Sequence, residues 1–155
     1  MNSRLLTLLC AAALLVNASC VVPPYQVPAV IYRAYEQTGE LSPAALRKLA
    51  ELEKSSQLAT APGPITEPVW TEVPRPFSIE LRRGREKTGL SITMLVLVDA
   101  KGKTLKGFVV DATDDVVAKQ AEPIILKARY VPGKMAGNPV ACATLVQIDG
   151  AGVPR

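Results

Sequence analysis

The thirteen residues Ala128-Arg-Tyr-Val-Pro-Gly-Lys-Met-Ala-Gly-Asn-Pro-Val140 constrain the fold more than any other stretch of the chain. A helical pattern leads into Tyr130, and Pro132 predicts its end, because proline lacks an amide donor and clashes with the preceding turn. Gly137 and Pro139 predict a turn, and the apolar run from Val140 to Ile148 predicts a strand. A helix joined through a Pro/Gly corner to a strand is a unit of a mixed helix-and-sheet layer.

Upstream, period-two patterning predicts the strands that such a helix would cover. Phe77 to Arg82 reads as one strand. Ile92, Met94, Val96 and Val98 alternate with Ser91, Thr93, Leu95 and Leu97, and the second set is too apolar for a solvent face. This strand is therefore expected to be covered on both sides. Asp99 to Lys103 predicts a hairpin turn with Gly102 free to take positive φ, and Thr104 to Val110 the returning strand. Asp114 and Asp115 open a helix whose buried face is Val117, Ala121, Ile124, Ile125 and Ala128. Pro123 within that span is expected to kink or divide it. The fold class is α+β, a small antiparallel sheet covered by one helix, preceded by a helical segment.

The N-terminus is of a different kind. Arg4 precedes Leu5 to Val16, an apolar run of 12 residues without charge. Crossing a hydrocarbon core takes about 20 residues, so the run suits a secretory signal and not a span. Val16-Asn17-Ala18 offers small residues for an ordinary signal peptidase, and Ala18-Ser19-Cys20 resembles the end of a bacterial lipobox, with Asn17 a departure from its usual aliphatic residue. Cys20 is the lipidation candidate, and by resemblance Val21 after it favours outer-membrane sorting. Two cysteines remain after cleavage. Either Cys20 pairs with Cys142 in an oxidising periplasm, or Cys20 carries lipid and Cys142 is a small buried hydrophobe.

The expected organisation is a signal peptide at 1–19, a tether and helical segment at 20–58, a Pro-rich linker at 59–75, a folded domain at 76–149 and a tail at 150–155. In the helical segment, residues 29–38 suit a short helix, and Ser42-Pro43 caps a better one through Ser55 with a Leu46, Leu49, Leu52 stripe. Trp70, inside the linker, is expected to pack back onto the domain. Residues 20–74 carry 4 Lys/Arg against 6 Asp/Glu, and residues 75–155 carry 13 against 8. The run Arg82-Arg83-Gly84-Arg85-Glu86-Lys87 reads as a solvated loop before it reads as a patch for anionic lipid, glycan or acidic peptide. Without interleaved aromatics, nucleic acid is not expected as a partner.

Tyr130, Pro132, Gly133, Gly137, Pro139 and Val140 together resemble the signature of the C-terminal domain of TonB-type periplasmic proteins, aromatic-x-Pro-(Ala/Gly)-x-x-x-Gly-x-Pro-Val. Ile92-x-Met-x-Val-x-Val98-Asp-x-x-Gly102 looks like that family's first long strand and turn, and Ala118 and Ala121 lie where the family helix is Ala-rich. The resemblance covers residues 76–149. It implies a binding module that pairs an extended partner segment along a sheet edge. The candidate edge is then Val140 to Ile148, with Val140, Thr144, Val146, Gln147 and Ile148 as partner-binding candidates. A covered or self-paired strand is the alternative there. The chain departs from the family's energy transducers in three ways. Its apolar segment is too short for an anchor, it contains no His, and its helical 20–76 region reaches less than about 3.3 Å per residue.

Few residues suggest catalysis. No His is present, so the usual general base and commonest metal ligand are missing. Cys142 has no base near it, and although Asp111, Asp114 and Asp115 could be read as a carboxylate cluster for a divalent cation, Asp114 and Asp115 read first as helix caps. The expectation is a non-enzymatic protein-binding adapter of the periplasm, tethered by lipid on Cys20, with no cofactor and no metal. Its partner would be a receptor segment or assembly subunit of the cell envelope. The alternative is a structural lipoprotein subunit of an envelope or secretion assembly.

Overall fold

The computed structural model describes residues 28–36, 41–72 and 91–149. The strand expected at Phe77–Arg82, the basic run at 82–87 and Cys20 lie outside them. The core element is a four-stranded sheet with the order β1-β9-β4-β5, built from Tyr32–Arg33 (β1), Ser91–Val98 (β4), Thr104–Ala112 (β5) and Cys142–Asp149 (β9). β4 pairs antiparallel with both β5 and β9, whereas β1 runs parallel to β9. The sheet is thus mixed, not purely antiparallel.

β4 is the axis of the fold, and its two-sided apolar pattern is satisfied as expected. Ile92, Met94, Val96 and Val98 face one cluster with Val146, Ile148, Ala121 and Ile125. Leu95 and Leu97 face the other, with Ile31, Tyr35, Leu49, Val110 and Ala143. Helix α2 (Asp115–Ile125) covers the first face, and α1 (Pro43–Ser55) covers the second. A single covering helix was too few, because the Leu49 stripe finds its partner within the same chain. Leu49 is fully buried, while Leu46 and Leu52 are half-buried.

Helix starts obey the sequence. Ser42 Oγ accepts from Ala45 N at 3.2 Å with Pro43 in the first turn, and Asp114 Oδ1 accepts from Val116 N at 2.7 Å. Each cap satisfies one of the free amides at a helix N-terminus. Helix ends obey it less well. α2 stops at Ile125, two residues past Pro123, and Arg129–Val131 is a strand (β6), so the helix does not reach Tyr130. Pro123 falls in the last turn of the helix, so it does not divide a longer one. Residues 29–38 form no helix among the described positions, and Tyr32–Arg33 is β1 instead.

The described part of the expected linker, residues 59–72, is stitched to neighbouring elements by short pairings. Ala59 bridges to Tyr32, Ile65–Thr66 (β2) pairs with Lys134–Met135 (β7), and Val69–Glu72 (β3) pairs with β6. Pro62, Pro64 and Pro68 lie between these short strands, where no ladder amide is required. Trp70 opposes Tyr130 in register and its ring lies 5.2 Å away, so the anchoring expectation for Trp70 holds.

Candidate functional site

The residues singled out at the Pro/Gly corner form a small cap over the start of β9. Tyr130 is buried, with its N–H donating to Gly102 O at 2.9 Å. Burial holds its phenol above the usual range, and the hydroxyl has no hydrogen-bond partner. Pro132 leads out of β6. Gly133 then lies so close to Cys142 Sγ and Thr66 O that an added Cβ would collide with both. Gly137 takes φ +81° and Ala136 φ +50°, turning β7 into Asn138–Pro139 (β8). Positive φ at both central residues is the hairpin turn that matches strand twist. Val140 N donates back to Gly133 O at 2.9 Å, closing the corner before β9 begins.

Cys142 is sealed beneath this cap. It is a free thiol with no exposed surface. Burial pushes its pKa up to about 11, with Glu67 adding to the rise and a backbone bond from Gly133 opposing it. A thiol held there supplies little thiolate at neutral pH. No cluster of three metal-ligating side chains occurs among the described residues.

β9 itself divides the candidate contacts by parity. Thr144, Val146 and Ile148 point into the interior and are at most 3% exposed. Gln147 is half-buried, and Val140 lies upstream of the strand. Partner contact through the side chains of Thr144, Val146 and Ile148 is therefore closed off in this fold. The backbone is a different matter. Ala141 O and Ala143 O accept from Tyr32 N and Ala34 N, both at 3.0 Å, so odd-numbered residues turn their polar groups away from β4. The β4–β9 register runs unbroken from Ser91↔Asp149 to Val98↔Cys142. By the alternation of an antiparallel ladder, Leu145, Gln147 and Asp149 present N–H and C=O groups on that same outer side. Among the described residues, no strand lies beside β9 beyond Ala143.

β1 covers the first part of that edge, and sequence reasoning missed it. Its residues lie between β9 and Ala59: Arg33 N donates to Ala59 O at 3.1 Å, and Ala59 N to Ile31 O at 2.9 Å. Ile31 and Tyr35 are buried on the α1 face, where Tyr35 OH donates to Glu53 Oε1 at 2.5 Å. Arg33 Nε lies 3.3 Å from the same Glu53 oxygen without making a hydrogen bond. The alternation of Ile31, Arg33 and Tyr35 carried the signal for a strand, but Pro28 and the short span obscured it. Comparison of the chain with family models, with curated proteins and with solved structures finds no match, so the site rests on its own geometry.

Proposed function

We propose that this chain is a non-enzymatic adapter of the periplasm, tethered by lipid on Cys20, that holds an extended segment of an envelope protein along the outer edge of β9. One observation carries the reading: the outward backbone groups of Leu145, Gln147 and Asp149 have no strand beside them among the described residues. An edge without a neighbouring strand recruits one by backbone pairing and needs no constellation of reactive side chains. The resemblance of the Tyr130–Val140 segment to the TonB C-terminal domain adds weight, though a TonB-like fold is part of the proposal. Burial of the Leu46-Leu49-Leu52 stripe only on assembly would favour the assembly-subunit alternative, and Leu49 is already fully buried within this chain.

The test uses the full chain in its native envelope, with a photo-crosslinking residue at position 147 and, as control, at position 106 on β5. Crosslinks to one protein from position 147, lost when Leu145→Pro is added, are expected. Equal products from both positions, or none from 147, would sink the edge reading. Mass analysis of Cys20 from the membrane fraction decides the tether separately. A diacylglyceryl group supports it, and a free or disulfide-bonded Cys20 removes it.

A further inference from the structure

Resting on that reading, we infer that Ile31–Tyr35 is a built-in competitor for the β9 edge. It is a strand supplied by the chain itself that a better-fitting partner segment displaces. The occupied part of the edge is the part with side-chain sockets. Ile31 and Tyr35, four residues apart, are 5% and 6% exposed and sink into the cluster of Leu49, Leu95, Leu97 and Ala143. The part from Leu145 onward, without a neighbouring strand among the described residues, offers backbone groups. Full use of the edge therefore requires the sockets, and the sockets hold β1.

The native occupant fits imperfectly. Only two residues of it are in register with β9, Tyr32 with Cys142 and Arg33 with Ala143. The segment bends at Tyr35, whose hydroxyl reaches Glu53, and no described strand pairs with the outward side of Leu145 and Gln147. Its Arg33 Nε lies 3.3 Å from Glu53 Oε1 as an ion pair without reaching hydrogen-bond geometry. A displacing partner has a definable chemistry. It is an extended segment parallel to β9, with an aliphatic side chain and an aromatic one four residues later, and it continues straight past the aromatic residue to pair with Leu145 and Gln147. Such a segment keeps both sockets filled and adds ladder bonds that β1 forgoes.

The test uses a fluorescent peptide copying Pro28–Glu36 of this chain, lengthened by three Thr residues, with the full-length protein. Tyr35→Phe removes the bond to Glu53 while keeping the ring, and is expected to bind the peptide at least tenfold more tightly than wild type. Tyr32→Cys places a second thiol opposite Cys142, since paired Cα atoms of neighbouring strands fall within disulfide reach. The reduced form is expected to bind the peptide, and the oxidised form, verified by peptide mapping, to lose binding. A peptide with Asp in place of Ile31 and Tyr35 is expected not to bind. Equal affinity of the oxidised and reduced forms, or no binding by Tyr35→Phe, overturns the inference. The two readings fail separately. Crosslinking from position 147 without peptide exchange overturns the competitor alone, whereas exchange without any partner crosslink overturns the adapter.

Discussion

The two edges of the central sheet solve the same problem in opposite ways. β5 is broken by register shifts between Thr93/Met94 and Leu97/Val98, which leave Val110 and Leu105 as extra residues on the edge strand. Such bulges twist an edge out of the plane a visiting strand needs. Its N-terminal end is also met by a bridge from Lys103 to Arg129. β9 has no bulge against β4, and its first part is covered by a short strand of the same chain. One edge is disabled by its own backbone, whereas the other is regular and occupied. A molecule that only needed to avoid edge-to-edge pairing had no reason to keep β9 straight.

Gly102 should give the largest effect, because it secures the bulged edge. It sits at φ +77°, and an added Cβ would run into the Tyr130 carbonyl. Gly102→Val is expected to destabilise the protein by about 3 kcal/mol or more in urea unfolding, from the strained φ and the overlap together. A stable Gly102→Val protein would mean that β5 does not depend on this turn. The next contrast lies within β9. Thr144→Pro removes an amide directed at β4 and should cost about 3 kcal/mol. Gln147→Pro removes an outward amide, so it should change stability by less than about 1 kcal/mol while abolishing partner capture. Similar losses from both would mean that the parity assigned to the edge is wrong.

A smaller effect is expected in alkali. Burial raises the Cys142 pKa in the fold above that of an ordinary thiol. Its contribution to stability is therefore complete below about pH 8.5 and is lost as pH climbs towards about 11. Urea midpoints should fall through that window in the wild type and fall less in Cys142→Ala. An identical slope in both would place the alkaline loss elsewhere. Smallest of all is Arg33→Ala, which breaks a partly exposed ion pair with Glu53 and should cost about 0–1 kcal/mol. A loss well beyond that would make β1 a fixed strand and count against its displacement.

The parts of the molecule legible in the sequence were those governed by local rules. Two-sided alternation identified β4, and Ser42 and Asp114 marked helix starts through cap chemistry that is complete within three residues. Gly102 was readable because its turn demands positive φ. What the sequence hid depends on distant partners. Arg129–Val131 continues a helical pattern in sequence, yet its pairing with Val69–Glu72 makes it a strand. Proline suggested a linker at 59–75, and in its described part Pro62, Pro64 and Pro68 space strands that are two to four residues long. The candidate edge was legible as a strand, and its occupant was not. Nothing local in Ile31–Tyr35 announces a neighbour more than a hundred residues away.

The parallel pairing of β1 with β9 also bears on how the protein is made. The strand that joins the N-terminal segment to the rest of the sheet is Cys142–Asp149, which follows the sheet's other strands in chain order. A ribosome reaches it after it has translated β4, β5, α1 and α2. Until then β1 has its bridge to Ala59 but no sheet to join, and one side of β4 waits without its neighbour. Completion of this sheet therefore waits for a strand that follows its others in the chain, and until then the apolar central strand is paired on one side only. That is the state a chaperone would meet.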